Sequence, residues 1–90
     1  MIIKRKVKIK NKQGLHARPA AIFVQVANKF DSDVVVSKAD MKVNGKSIMG
    51  IMMLAAEHGA TVYITASGDD AHETVDELER LLSGGLDEYQ

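Results

Sequence analysis

The residues best suited to chemistry lie in one stretch, GLHARPAA at positions 14–21. Gly14 permits a tight turn, Leu15 can tuck inward, and His16 then caps a helix whose first backbone N–H groups have no intrahelical acceptor. Pro19 fits the first turn of that helix, because the N–H it lacks would have had no partner there. The positive end of the helix dipole disfavours an imidazolium and favours a neutral ring with a free lone pair. Such a ring is a nucleophile. A phosphoryl group attached to it would meet the amides of Ala17 and Arg18 and the Arg18 guanidinium, so one environment favours both the attacking and the loaded state.

Other motifs fail on spacing. The GKS triplet at 45–47 lacks the glycine a P-loop needs five residues earlier, where Asp40 stands. His72 and Glu73 do not extend to a zinc pattern because residue 76 is Asp76, and His16, His58 and His72 are not at metal-ligand spacing. No metal and no cofactor is expected, and His58 and His72 read as surface helix residues. The absence of cysteine excludes disulfides and thiol chemistry. Twelve basic residues balance twelve acidic ones, which removes the strong positive field of a dedicated nucleic-acid binder. An RNA-binding sheet would also need stacking aromatics on its strands, and only Tyr63 is a candidate. Basic residues from Lys4 to Lys12 and acidic ones from Asp69 to Glu88 separate the charge along the chain, as solvated faces or as a means of orienting partners. The first ten residues alternate charge with apolar side chains, unlike a secretory signal, and no run is long enough to span a membrane. A cytoplasmic protein without membrane insertion is expected.

The elements that must position His16 follow from periodicity. Ile3, Val7 and Ile9 alternate with lysines as a half-buried strand. Residues 16 to about 29 read as a helix with Ile22, Val26 and Phe30 as one row, and with Ala20, Ala21 and Ala27 small enough for close approach to a sheet. Val34–Val36 and Met41–Val43 form a hairpin across a Lys38–Asp40 turn. Ser47 to about Glu57 is a short helix ended by Gly59, and Thr61–Ser67 is a strand with Val62, Ile64 and Ala66 inward. Asp70 and Glu73 resemble a capping box before Ala71, Val75, Leu78 and Leu82, and Gly84 and Gly85 stop that helix. The order βαββαβα predicts a single α+β domain over residues 1–90, one sheet with three helices on one face, with residues 86–90 as a tail free to fray.

GLHARPAA resembles the active-site signature of the HPr family, the histidine-containing phosphocarriers of the bacterial phosphotransferase system, and KSIMGIMML at 46–54 resembles that family's second signature. The resemblance covers nearly the whole chain. It implies an open-faced β-sandwich with an antiparallel sheet in the order one, four, two, three. It implies that His16 accepts a phosphoryl group from enzyme I, itself charged by phosphoenolpyruvate, on the ring nitrogen nearer the main chain, and passes it to a histidine of a sugar-specific enzyme IIA. Arg18 would assist both transfers. The chain would be a phosphotransfer component rather than a free-standing enzyme, and a monomer.

Met49, Met52 and Met53 with Ile48 and Ile51 are more apolar surface than a short helix needs for packing, and flexible thioethers suit unlike partners. The resemblance gives Ile48, Met49 and Met52 to docking of enzyme I and enzyme IIA. Ser47 is expected as a helix cap. The resemblance adds phosphorylation of Ser47 by an HPr kinase/phosphorylase in hosts that possess one, with transcriptional regulators as further partners. KSIMGIMMLAA, NKQGLHARPAA and the acidic SGGLDE end also resemble NPr, the paralogue of the nitrogen-related phosphotransferase chain, and a pure protein-binding regulator with unphosphorylated His16 is a third reading.

Overall fold

The computed structural model describes residues 1–89. They run β1 (Ile2–Lys8), α1 (Ala17–Ala27), β2 (Asp33–Lys38), β3 (Met41–Asn44), α2 (Ile48–Met53), β4 (Thr61–Ser67) and α3 (Ala71–Leu82), then a 3-10 turn at Gly85–Tyr89. The strands form one antiparallel sheet in the order β1-β4-β2-β3 with the helices on one face, the open-faced α+β arrangement.

Alternation sets which side of each strand is dry. Val62, Ile64 and Ala66 of β4 are fully buried, and the register places them beside Val7 of β1 and Val36 and Val34 of β2. Lys4, Lys6 and Lys8 take the opposite, open face, where the Lys4 ammonium lies 4.9 Å from the centre of the Tyr63 ring. Arg5 occupies an inward slot between Ile3 and Val7. Its guanidinium reaches across the sheet edge to Asp76 and, at 3.0 Å, to Glu79 of α3. That contact holds the Asp76 carboxyl below the ordinary range.

α1 buries Pro19, Ala20, Phe23, Val24, Val26 and Ala27. The expected row therefore lies off centre: Val26 is buried, while Ile22 and Phe30 are half-buried flanks of the stripe led by Phe23. The helix also ends at Ala27, because the Asn28 amide turns back to the Val24 carbonyl at 2.9 Å and closes the last turn. α2 stops at Met53 rather than near Glu57. Ala55 adopts a left-handed backbone at φ 50°, and the Ala56 carbonyl accepts the Leu15 N–H at 2.8 Å instead of continuing a helix.

The capping box at α3 does not form. Asp70 holds the N-cap position, but its side chain makes no cap hydrogen bond to that helix. Its carboxylate instead accepts the N–H of Asp31 at 2.8 Å, the N–H of Ser32 at 2.9 Å and the Ser32 hydroxyl, tying the entry to β2 onto the start of α3. The only donor it takes from its own helix is the Thr74 hydroxyl, at a long 3.4 Å, and it caps no backbone amide there, because the loop donors fill it. The expected frayed tail also differs. Leu86 is fully buried in the 3-10 turn, and Gln90 lies outside the described residues.

The Ser32 hydroxyl first, and then the Asp31 N–H, hold the Asp70 carboxyl below its ordinary value of 3.8. A depressed carboxyl stabilises the fold above that value and loses its contribution as pH falls through the lower, folded value. Asp70→Asn is expected to unfold at lower denaturant than the unaltered chain at pH 7, and to lose less stability between pH 5 and pH 2. Denaturant titrations at these pH values check both.

Candidate functional site

The loop before α1 is fixed at both flanks by backbone bonds. Lys10 donates to the carbonyl of Leu82 at the end of α3 at 2.7 Å, and Ile9 exchanges bonds with Ala60 and Gly59, each at 2.8 Å. Within the loop the Gly14 N–H closes a turn on the Asn11 carbonyl at 3.2 Å, and the buried Asn11 side-chain amide donates to the Gly14 carbonyl. Lys12 N–H donates at 3.3 Å to the Asp87 carboxylate in the final 3-10 turn.

Gly14 has φ 63°, and a Cβ on it would stand 2.6 Å from the Ala56 carbonyl oxygen and 2.8 Å from the Glu57 Cα. No side chain fits there in that backbone state. Close approach lets the Leu15 N–H reach Ala56 and drives the Leu15 side chain into the core, where it is fully buried. His16, the next residue, is consequently turned outward: its backbone is extended (φ −96°, ψ 166°) and its side chain is exposed.

His16 is the N-cap of α1, as expected from Pro19, which is buried in the first turn. The first intrahelical bond runs from the Ala20 N–H to the His16 carbonyl at 3.0 Å. Ala17 and Arg18 therefore offer N–H groups at the helix end without intrahelical acceptors, and Pro19 has none to offer. The His16 ring makes no hydrogen bond to them, which leaves them available to an anion held on the ring. Ala17 and Arg18 are both exposed.

A shallow open depression beside His16 is lined by Lys12, Gln13, His16, Glu57 and His58. Arg18 stands in the first turn of α1 but is not part of that lining. His58 is exposed, as expected, but sits in the turn before β4 rather than on a helix, whereas His72 is on α3, 3.4 Å from Asp76. Asn11, Glu57, His58 and Asp87 thus surround a site for which only His16, Ala17 and Arg18 were expected. Asn11, three residues before a turn glycine, carried a local signal; the others arrive through long-range backbone bonds that no local pattern announces.

Ser47 caps α2, its hydroxyl accepting the Gly50 N–H at 3.1 Å. In α2, Ile51 is fully buried, while Ile48 and Met52 are close to half exposed and Met49 and Met53 more so, at 75% and 64%. α2 packs against α1, so this apolar patch belongs to the helix pair that carries His16. Among the described residues there is no cluster able to hold a metal ion, and no helix is long and apolar enough to cross a membrane.

Residues 3–84 match the family model described as the PTS HPr component phosphorylation site. The HPr-like protein Crh of Bacillus subtilis is 49% identical over 86% of this chain and 91% of its own. A solved structure of Crh, described as an intertwined dimer with a swapping domain, has a TM-score of 0.73 at 48% identity, covering 89% of this chain and 92% of that one. The phosphocarrier protein HPr of Neisseria meningitidis serogroup A is 46% identical over 92% of this chain and 93% of its own. The crystal structure of HPr from Bacillus anthracis has a TM-score of 0.88 at 44% identity, covering 90% and 96% of the two chains.

Gly14→Ala is expected to destabilise the chain by about 2 kcal/mol or more, from the left-handed backbone and the collision with Ala56 and Glu57 together. Denaturant unfolding checks this, and a loss below ~0.5 kcal/mol would contradict the described contact. Ser47→Ala removes a helix cap and is expected to cost about 1 kcal/mol by the same assay.

Proposed function

Since the chain belongs to the HPr family of the phosphotransferase system, we propose that it carries a phosphoryl group on His16 between enzyme I and enzyme IIA proteins. The observation that carries this reading is the placement of an exposed His16 as the N-cap of α1, beside the free amides of Ala17 and Arg18. The ring nitrogen nearer the main chain attacks the phosphorus of the donor's phosphohistidine in line. Its lone pair forms the new P–N bond as the donor's P–N bond breaks, and the reverse exchange passes the group to a histidine of enzyme IIA. Little covalent machinery is needed, because such transfer depends on alignment and on charge stabilisation. Amides of Ala17 and Arg18 hold phosphoryl oxygens at the positive end of the helix, each such charged hydrogen bond contributing about 1.5–3 kcal/mol. The Arg18 guanidinium is long enough to add a further donor once a partner orders it.

Ile48, Met49 and Met52 form the docking patch, supported by their exposure on a helix packed beside α1. The reaction takes place in the cytoplasm, with no cofactor. A monomer is the working unit in this reading. The Crh dimer is the competing arrangement in a relative.

A regulatory reading is favoured by a specific observation: a solution structure of a 48% identical relative is described as that of the catabolite repression HPr of Bacillus subtilis. In that reading Ser47 is phosphorylated by an HPr kinase/phosphorylase, and the product is recognised by transcriptional regulators. Phosphorylation would replace the cap hydroxyl with a group that the amides of α2 tolerate, while placing negative charge beside Ile48 and Met49. In the NPr-like alternative His16 is loaded but serves the nitrogen-related chain, and in the third reading His16 is never loaded.

Incubation with enzyme I and phosphoenolpyruvate is expected to add one acid-labile phosphoryl group to the chain and none to His16→Ala. Labelling of that variant at the unaltered level would overturn the assignment. Offering the loaded chain to sugar-type and nitrogen-type enzyme IIA in parallel is expected to discharge it faster to the sugar type; the reverse preference selects the NPr-like reading.

A further inference from the structure

The phosphoryl site described so far is one-sided, built from the N-terminus of α1. The depression beside His16 has another wall, made by residues from the turn before β4. That turn is held against the His16 loop by the Leu15 N–H on Ala56, the Gly59 N–H on Ile9 and the Ile9 N–H on Ala60, each at 2.8 Å. The Glu57 Cα stands where a side chain on Gly14 would have to be. With the backbones this close, Glu57 and His58 line the same depression as His16. Both are exposed, and among the described residues neither side chain has a hydrogen-bond partner or an ion pair.

We propose that His58 is a second phosphoryl-contacting residue, its ring N–H donating to a phosphoryl oxygen on His16, and that the neighbouring Glu57 carboxylate raises the energy of the loaded state. The proposal rests on the phosphocarrier reading and deepens it. A phosphoryl group on His16 brings two negative charges into a depression whose ionisable lining is Lys12, Glu57 and His58. Arg18, in the first turn of α1, lies outside that lining, and Asp87 accepts the Lys12 N–H from the 3-10 turn. Lys12 attracts the anion, an imidazole N–H binds it without moving a proton, and Glu57 repels it. The opposed signs set how tightly the group is kept: a carrier must bind its cargo firmly enough to accept it and loosely enough to release it. No bond is made or broken by His58 or Glu57; the P–N exchange at His16 is unchanged.

The test is the equilibrium of phosphoryl exchange between enzyme I and the full chain at a fixed ratio of phosphoenolpyruvate to pyruvate, with phosphohistidine read by phosphorus NMR. His58→Leu is expected to lower the loading equilibrium constant by about three- to tenfold, and His58→Gln, which keeps an N–H donor, to restore at least half of the loss on a logarithmic scale. Glu57→Gln is expected to raise the constant by about threefold, and both effects to shrink at 1 M salt because the site is open to solvent. Responses of opposite sign from adjacent exposed residues are not produced by loss of stability. Loading of the unaltered chain with both variants within twofold of it at low salt, or with both shifted the same way, would overturn the proposal while leaving the phosphocarrier reading intact. No loading of the unaltered chain would overturn that reading, and this inference with it.

Discussion

The site depends on the close passage of two backbones, Gly14–Leu15 against Ala56–Glu57. A single hydrogen bond from Leu15 to Ala56 and the absence of a side chain at Gly14 bring them together. Three consequences follow from that contact. Leu15 is driven into the core, so its neighbour His16 must face outward at the helix mouth. α2 must stop at Met53, because Ala56 has left the helix to serve the loop. Glu57 and His58 arrive beside His16 although 40 residues or more separate them in sequence. A nucleophile on a mobile loop would have to be ordered at each transfer, and preorganisation removes that cost from the reaction.

Much of this was legible wherever one element decides its own conformation. β4 alternates because one face is dry, and Val62, Ile64 and Ala66 are buried as that rule requires. His16 is the N-cap of α1 because glycine, histidine and proline each suit one position of a helix entrance, and Ser47 caps α2 for an equally local reason. The failures share another physical origin. Asp70 and Glu73 have capping-box spacing, but the carboxylate of Asp70 is taken by Asp31 and Ser32, 39 and 38 residues away. Leu86 follows two glycines and looks like the start of a loose tail, yet it fills the core beneath a turn whose Asp87 supports the His16 loop. Tertiary competition for a side chain or a backbone carbonyl leaves no periodic trace.

α2 combines two demands in six residues. Ile51 anchors it in the core, and Ser47 satisfies an amide that would otherwise be unpaired, while Met49 and Met53 remain largely in water. Thioether side chains tolerate this exposure and re-pack against different surfaces, which a β-branched residue would do poorly. A phosphate on Ser47 would therefore act on the exposed apolar patch of α2, the proposed docking surface, rather than on His16 itself. The chain is similar both to phosphocarrier HPr proteins and to the HPr-like protein Crh.

The central claim is that the end of α1 holds the phosphoryl group carried by His16. The most direct measurement is a proton–nitrogen correlation spectrum of the backbone amides before and after loading. The account predicts that the amides of Ala17 and Arg18 shift strongly downfield while those of Ser47 and Gly50 stay in place. Loading that leaves the Ala17 and Arg18 amides unmoved, with the largest shifts at the start of α2, would contradict it.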